Sequence, residues 1–299
     1  MSAKMAALAI ALATGTTEAA AATPDDAKAQ GRALVASCKG REGWSDAAPP
    51  ARLFGNAYYV GTCGIAVLLI TSPKGHILID GATAEAAPST LANIRALGFD
   101  PKDVRLIVGS HEHLDHMGGF AALKAATGAR LLVRQPARAV VQTGKTDTAD
   151  PQAGAIPDMV PVAVDGVVCD GQVLRVGPIA ITVRATPGHT GGGISWTWRS
   201  CEGKQCAAFA YVDSLSAVSA RGYRFTDHPE RVAPYRTTFT RVARFDCDIL
   251  ITPHPASSNL FDRLSSKAPL RDRTACARLA ERARIALDAR LASEAASVR

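Results

Sequence analysis

Residues 109–119 read GSHEHLDHMGG and hold three of the chain's seven histidines. The stretch follows directly on VRLIV, an apolar run typical of a buried strand. In an extended loop His111 and His113 cannot easily bind one ion, but a tight turn after a strand can direct both side chains to it. Asp115 and His116 are adjacent and point to a second place. The spacing HxHxDH therefore indicates two metal positions close together, each of which needs further ligands.

Two other histidines occupy similar settings in the sequence. His189 lies in TPGHTGGG after the apolar run IAITVRA, and His254 lies in TPHP after DILI. Functional side chains gather on such loops, where a rigid scaffold of strands positions them. Imidazole and carboxylate groups suit zinc, and a catalytic zinc site keeps one position open for water. We therefore expect His189 and His254 to supply further zinc ligands.

Other interpretations explain less of this pattern. A polar surface loop would account for a lone HxH, but not for HxHxDH together with two more histidines at strand ends. The zinc-protease motif HExxH does not fit, because Glu112 is followed directly by His113. Asp80, in LIDGA, is either a turn or cap residue or an acceptor that orients a ligand from outside the metal site.

The apolar runs predict a single α/β domain over residues 23–299. In the first half, strand-like runs such as HILID, VRLIV and RLLVR alternate with helical stretches. The second half has strand-like runs in IAITVRAT, ISWTWR and CAAFAYV, a helix that Pro234 interrupts, the strand DILIT and a long C-terminal helix. We predict two packed β-sheets with helices on both outer faces. Residues 145–168 are polar and irregular, which is typical of a functional or mobile loop.

The N-terminus and the charge pattern restrict the possible locations and partners. Lys4 precedes MAALAIALATG, an apolar run of the length found in secretory signals, and small residues follow it. We expect residues 1–22 to be a signal peptide cleaved near Ala21 or Ala22, with export to the periplasm; a retained N-terminal helix is the alternative. No apolar run reaches the roughly 18 residues of a membrane span. The net charge of +7 is spread without a basic block, so we expect no nucleic-acid partner.

The chain has seven cysteines, so at least one is unpaired within it. Any given six allow fifteen pairings, which the spacing alone does not decide. Cys201 and Cys206 bracket EGKQ between two strand-like runs, where a disulfide could close a hairpin. The cysteines lack CxxC spacing, which argues against a zinc ribbon or a thioredoxin-type site.

The motifs LIDGA, SHEHLDHMGG, TPGHTGGG, YVDSLS and ITPHP follow one another between positions 58 and 255. In this order they resemble the metallo-β-lactamase superfamily. The resemblance implies an αββα sandwich with two zinc ions held between its sheets. It also implies two ligand sets: His111, His113 and His189 for the first ion, and Asp115, His116 and His254 for the second.

Within that superfamily, the chain is similar to β-lactamases of the third class B subclass, B3. The other two subclasses typically lack the histidine at the position of His116 and use a cysteine on the strand near Tyr211. Here that strand continues as YVDSLS, with Ser214 and Ser216. The resemblance implies a monomer that hydrolyses the amide bond of penicillins, cephalosporins and carbapenems through a zinc-bound hydroxide, and so confers antibiotic resistance.

The same resemblance implies roles for further residues. Asp115 would orient the nucleophile as well as bind metal, Ser214 and Ser216 would bind the substrate carboxylate, and Gln152 would touch substrate or water. Three disulfides are implied: Cys38–Cys63, Cys201–Cys206 and Cys247–Cys276. Cys169 would then be free, and we expect a buried structural thiol.

Two alternative functions remain open at the level of sequence. Lactonases and thioesterases such as glyoxalase II share the superfamily fold and bridge both metals with an aspartate on the strand where Asp213 lies. Adjacent strand residues point to opposite faces, so only one of Asp213 and Ser214 can face the ions, and the resemblance over YVDSLS favours Ser214. A zinc-binding protein without catalysis is the other alternative, and zinc binding without turnover would reveal it.

Overall fold

Two β-sheets form the centre of the computed structural model, which describes residues 24–297. The first sheet has the strand order β1 (Ala51–Phe54), β2 (Ala57–Tyr59), β3 (Leu68–Ile70), β4 (His76–Ile79), β5 (Val104–Val108), β6 (Arg130–Arg134) and β7 (Gly166–Val168). The second has the order β12 (Ile249–Ile251), β11 (Gln205–Tyr211), β10 (Ile194–Glu202), β9 (Ile179–Ala185) and β8 (Val173–Val176). Both sheets are mixed, since β4–β7 run parallel and β12 is parallel to β11, whereas the other neighbours are antiparallel.

Eight α-helices flank the two sheets within residues 24–297. They are α1 (Pro24–Ser37), α2 (Ala87–Ala96), α3 (Leu114–Met117), α4 (Phe120–Thr127), α5 (Gln135–Thr143), α6 (Pro229–Val242), α7 (Leu260–Leu264) and α8 (Ala275–Ala296). Side chains of α2, α4 and α5 pack on the first sheet, and those of α6 and α8 pack on the second. None of these helices, over residues 24–297, has both the length and the apolar character needed to cross a bilayer.

The apolar core has three layers, because the central strands are buried on both faces. Ile77 and Ile79 of β4 pack between the sheets, whereas Leu78 packs under the helices of the first sheet. In β11, Phe209 lies between the sheets and Ala210 lies under α6 and α8. This alternation follows from the two-residue period of a strand. The predicted fold, two packed sheets with helices on both outer faces, is confirmed.

The boundaries differ from the sequence prediction at several places. β1 and β7 are short strands at the edges of the first sheet that apolar periodicity does not reveal. The prediction that Pro234 interrupts its helix is wrong, because α6 runs through it without a break. A proline costs a helix one N–H donor. Here the buried side chains of Tyr235 and Phe239, which follow Pro234, anchor the helix in the apolar layer shared with α8.

The structure contains the three disulfides that the family resemblance implies: Cys38–Cys63, Cys201–Cys206 and Cys247–Cys276. The expectation of a buried thiol at Cys169 is wrong, because this residue is exposed. Cys169 lies in the turn between β7 and β8, where its N–H donates to Gln172 Oε1. β7 ends at Val168 and β8 begins at Val173, so the residues between them, including Cys169, form a solvent-exposed turn. The predicted signal peptide, residues 1–22, lies outside the described residues.

Replacing both Cys247 and Cys276 by alanine should lower the free energy of unfolding by about 3–4 kcal/mol. The disulfide joins Cys247, two residues before β12, to the first turn of α8 and closes a loop with a sequence separation of 29. The loss arises because the unfolded chain regains the conformational freedom of that loop. Urea denaturation measures it, with Cys169→Ala as the control that should leave the midpoint unchanged. Equal midpoints for the double variant and the wild type would contradict the prediction.

Candidate metal centre

The candidate site lies where strand ends from both sheets meet. Asp80 follows β4 and His111 follows β5 in the first sheet, while His189, Asp213 and His254 follow β9, β11 and β12 in the second. The chain leaves β5 as an extended loop and then turns into the short helix α3. That turn brings the two halves of the HxHxDH motif together, as its spacing requires.

All six predicted metal ligands converge on one place. Ring nitrogen atoms of His111, His113 and His189 lie within 4.8 Å of one another. The same distance limit holds for the ligand atoms of a second group, which consists of His111, Asp115 and His116. His254 adjoins the second group: its Nε2 is 3.4 Å from Asp115 Oδ2, and its ring centroid is 5.0 Å from that of His116. The His254 side chain is 33% exposed, whereas the others are buried. His254 therefore marks the solvent side of the cluster.

Partners outside the cluster orient its imidazole rings. Four rings each direct one nitrogen outward to an acceptor: His111 Nδ1 to Asp213 Oδ1 at 2.8 Å, His113 Nε2 to Asp150 Oδ2 at 3.0 Å, His116 Nδ1 to Asp80 Oδ2 at 3.2 Å, and His189 Nδ1 to the Ser216 carbonyl at 2.8 Å. A carbonyl and an ionised carboxylate can only accept, so the ring nitrogens of His113, His116 and His189 that face these groups are the ones that carry hydrogen; burial raises the pKa of Asp213, so its contact with His111 fixes the ring direction only. The second nitrogen of each ring is then free to bind metal.

Asp80 makes the densest set of these outer contacts. Its carboxylate, fully buried, accepts hydrogen bonds from Ser110 N at 2.5 Å, Ser110 Oγ at 2.8 Å and Tyr211 Oη at 2.6 Å, besides His116. Its backbone has a φ of 64°, a left-handed conformation that aspartate tolerates better than most residues. The residue thus joins the end of β4 to β5, β11 and α3.

The electrostatics of the cluster suit metal binding. Burial, helped by the neighbouring imidazoles, lowers the pKa of His189 and of His254 to about 4 and that of His111 well below its usual range. Burial also disfavours a charged His116, but the adjacent Asp115 carboxylate outweighs it and raises the pKa of His116 to about 10. Imidazole binds metal in its neutral form, so a cation at this position competes with that proton.

The donors fit zinc. His116 Nε2 is buried and lies 3.1 Å from Asp115 Oδ2, yet it makes no hydrogen bond to any described residue. Two ligand atoms that face each other in this way can share a cation between them. A set of five imidazoles and one carboxylate is typical of zinc rather than of magnesium or calcium, which prefer oxygen.

The remaining residues predicted for the site lie around the cluster. Gln152 Nε2 is 3.4 Å from His189 Nε2, Ser214 is half-buried, and Ser216 is exposed. The structure places the Asp213 carboxylate against the outer nitrogen of His111, and the preference for Ser214 facing the pocket stays a prediction. Both residues lie beyond the end of β11, where the strict alternation of a strand no longer applies.

Three residues near the site were not predicted from the sequence. Asp150 contacts His113 from the irregular loop before β7, and the exposed ring of Trp44 lies 6.4 Å from that of His254, centroid to centroid. Glu112 is buried behind the cluster. Asp150 and Trp44 lie in segments without periodicity, so no local signal marks them; Glu112 is marked only by its position inside the motif.

Comparison with known proteins identifies related families. The model of the metallo-β-lactamase superfamily matches residues 60–202. Among solved structures, metallo-β-lactamase MIM-1 from Novosphingobium pentaromativorans is 51% identical, with a TM-score of 0.87 over 89% of this chain and 99% of that one. BJP-1, a subclass B3 metallo-β-lactamase of Bradyrhizobium japonicum, is 30% identical, with a TM-score of 0.77 over 86% of this chain and 98% of that one.

Similarity to curated proteins of other activity is shorter. The N-acyl homoserine lactonase AttM of Azorhizobium caulinodans is 38% identical over 81 residues, which are 20% of this chain and 31% of the lactonase. A hydroxyacylglutathione hydrolase of Methylobacterium nodulans is 34% identical over 119 residues, or 39% of its length. The chain thus spans about a third of the length of these relatives.

Proposed function

The chain belongs to the metallo-β-lactamase superfamily, and from this premise we propose that it is a zinc-dependent β-lactamase of the B3 type. It would hydrolyse the amide bond of penicillins, cephalosporins and carbapenems and so confer resistance to them. The main support is the 51% identity to MIM-1 over 99% of that enzyme, combined with the convergence of all six ligand side chains at one site.

In this proposal two zinc ions would be held by the two ligand sets, His111, His113 and His189, and Asp115, His116 and His254. When bound, zinc polarises a carbonyl group and lowers the pKa of water, so that hydroxide is available near neutral pH. Asp213, Asp150, Asp80 and the Ser216 carbonyl would keep the imidazoles in place during the reaction, because each holds one outward ring nitrogen.

Asp115 would have a second task beside metal binding. Its Oδ2 faces the ring nitrogens of His116 and His254, at 3.1 and 3.4 Å. The other oxygen, Oδ1, can accept a hydrogen bond from the attacking water and orient it toward the lactam carbonyl. Proximity to His116 holds the pKa of Asp115 below its usual range although burial opposes ionisation, so the carboxylate is ready to accept.

Substrate would be bound at the rim by Ser214, Ser216 and Gln152. The substrate carboxylate accepts hydrogen bonds, and serine hydroxyl and glutamine amide groups donate them. Ser216 is well suited because the residue is exposed; its backbone carbonyl is engaged by His189 and by Tyr235 Oη at 2.9 Å, and its hydroxyl lies 3.5 Å from His189 Nδ1. The backbone carbonyl thus makes the short contact with His189, and the hydroxyl, at the longer distance, would donate to the substrate carboxylate.

Ser216→Ala should raise KM for cephalosporins about 10-fold and change kcat less than about 3-fold, since one hydrogen bond to a charged group is worth about 1.5–3 kcal/mol. The backbone carbonyl that holds His189 is retained in the variant. Steady-state kinetics on the purified mature protein measures both constants. A large loss of kcat at unchanged KM would show that the hydroxyl serves the chemical step instead.

A lactonase or thioesterase is the second candidate, because short stretches of the chain are similar to such enzymes. Those activities would call for Asp213 as a ligand that bridges both ions. Asp213 Oδ1 instead lies 2.8 Å from His111 Nδ1, the nitrogen on the outer side of that ring. This contact favours an orienting role for Asp213 and supports the β-lactamase proposal.

The decisive test is hydrolysis of a carbapenem and a cephalosporin by the purified mature protein, with and without a zinc chelator. We expect rapid turnover that the chelator abolishes and added zinc restores. Turnover that survives removal of zinc would refute the metal mechanism. Two bound zinc ions without β-lactam turnover would refute the β-lactamase activity, and lactones and thioesters would then be tested as substrates. A zinc-binding protein without catalytic activity would hydrolyse neither β-lactams nor lactones nor thioesters.

We also propose that the protein is exported to the periplasm and acts as a monomer. Three disulfides support export, because such bonds persist in oxidising compartments. Cell fractionation with N-terminal sequencing would test it, with a mature terminus near residue 23 expected. Light scattering of the purified protein would test the monomer.

A further inference from the structure

Glu112 is the one acidic side chain of the HEHLDH motif that the proposed mechanism does not use. It lies between His111 and His113 in the sequence and is only 6% exposed. Thr190 Oγ1 donates to its Oε2 at 2.7 Å, and Gly192 N donates to its Oε1 at 2.8 Å. Both carboxylate oxygens therefore hold the loop that carries His189.

The approach of Glu112 to this loop requires glycine at position 192. A Cβ atom there would lie 2.4 Å from Glu112 Oε2, which is closer than real contacts allow. Residues 191–193 are three consecutive glycines, and such a segment has unusually large conformational freedom in the absence of outside contacts. The absence of side chains in the loop leaves space for the Glu112 carboxylate, and it also makes the backbone of the loop more flexible.

Arg134 binds the same loop through the carbonyl groups of the loop. The Nη1 atom of Arg134 donates to the carbonyls of Gly191 and Gly193, each at 3.1 Å. Glu112 therefore takes the N–H and hydroxyl donors of the loop, and Arg134 takes its acceptors.

We propose that Glu112 is a positioning residue for the first zinc site. It joins the segment 111–113, which supplies two ligands of that site, to the loop that supplies the third, His189. The two hydrogen bonds of the carboxylate join these segments next to His189, at Thr190 and Gly192, and the bond from Ile194 N to the Ser110 carbonyl at 2.7 Å joins them farther along the chain. The inference deepens the proposed function and rests on it only in so far as the cluster binds zinc.

Stepwise titration of the metal-free protein with Zn²⁺, in competition with a chromophoric chelator, tests this role. Glu112→Ala should weaken one of the two binding steps about 10- to 100-fold, the usual effect of losing a partner that orders a ligand. The other step should be unchanged. Glu112→Gln, which keeps one acceptor, should lose less. In a His189→Ala background, Glu112→Ala should have no further effect on zinc affinity, because the ligand that it positions is already gone.

Gly192→Ala provides a second route to the same result, because it displaces the loop while Glu112 remains. Asp248→Asn is the matched control: this carboxylate is also buried and accepts from Ala208 N at 2.9 Å, but it precedes β12, at the opposite end from His254. It should lower the unfolding midpoint and leave both zinc steps intact.

Wild-type zinc affinity in both Glu112→Ala and Gly192→Ala would overturn the proposal, as would an equal weakening of both steps. If Glu112→Ala does not fold, the glutamine and Gly192 variants decide the question. Failure of the β-lactamase proposal would appear separately, as absence of β-lactam turnover in the wild-type protein, and the zinc titration would still decide the role of Glu112.

Discussion

His189→Ala should lower kcat/KM for β-lactams by more than about 100-fold and reduce the zinc content from two ions toward one. Loss of a partner that only orients a ligand typically costs 10- to 100-fold, so loss of a ligand itself should exceed that. His189 is also the only proposed ligand of the first ion that comes from the second sheet. Without it, His111 and His113 alone leave the first zinc site with two protein ligands, one fewer than catalytic zinc sites use.

Metal analysis of the purified variant and steady-state kinetics at saturating zinc measure the two effects. His228→Ala is the control, because the His228 side chain is 42% exposed and the contacts described for its ring are with Glu230 and Tyr223, outside the cluster. It should retain two zinc ions and wild-type activity. If His189→Ala also retained both, the assignment of the first ligand set would be wrong.

Asp80→Ala should destabilise the whole fold by about 4 kcal/mol or more. Ser110 N, Ser110 Oγ, Tyr211 Oη and His116 Nδ1 all donate to this buried carboxylate. Tyr211 Oη keeps the Ala66 carbonyl at 2.8 Å as an acceptor, whereas the other groups lose the Asp80 acceptor, and each buried group left without a partner costs about 1–3 kcal/mol. The sum is a large share of the 5–15 kcal/mol that stabilises a typical domain. His116 would lose its orienting partner at the same time, so binding of the second zinc should weaken as well.

Urea denaturation of the metal-free variants separates the stability effect from metal binding. Asp80→Asn should lose less than Asp80→Ala, because asparagine keeps one acceptor and tolerates the left-handed backbone at this position. Asp103→Ala removes an exposed carboxylate that pairs with Arg105 and should change stability by no more than about 0.5 kcal/mol. An Asp80→Ala midpoint equal to that of Asp103→Ala would refute the prediction.

Much of the scaffold could be predicted because the relevant signals are local. Buried strands such as β4, β5 and β12 are short apolar runs, and the histidines and Asp80 follow them directly in the chain. Parallel strands end at the same edge of a sheet, so residues that follow their ends are brought together without any knowledge of loop paths. The layered fold followed from the same runs, since strands that are apolar on both faces must be covered on both sides.

The features that the sequence left open or predicted wrongly depend on the tertiary surroundings of a residue. The sequence left open which of Asp213 and Ser214 faces the ions, and beyond the end of β11 the Asp213 carboxylate reaches the outer nitrogen of His111. Pro234 stays within α6 because packing outweighs the lost hydrogen bond. Cys169 is exposed because it occupies a turn, although cysteine is usually buried.

The sequence by itself determined the two-sheet architecture and the residues that can bind metal. Both depend on residue type and on periodicity along a short stretch of chain. Only the tertiary structure decided which groups surround those ligands: Asp150 on His113, Asp213 on His111, and Glu112 on the loop of His189. These contacts join segments far apart in the sequence. Hydrogen bonds of this kind depend on how the sheets and loops pack against one another, and no periodic pattern in the sequence predicts that packing.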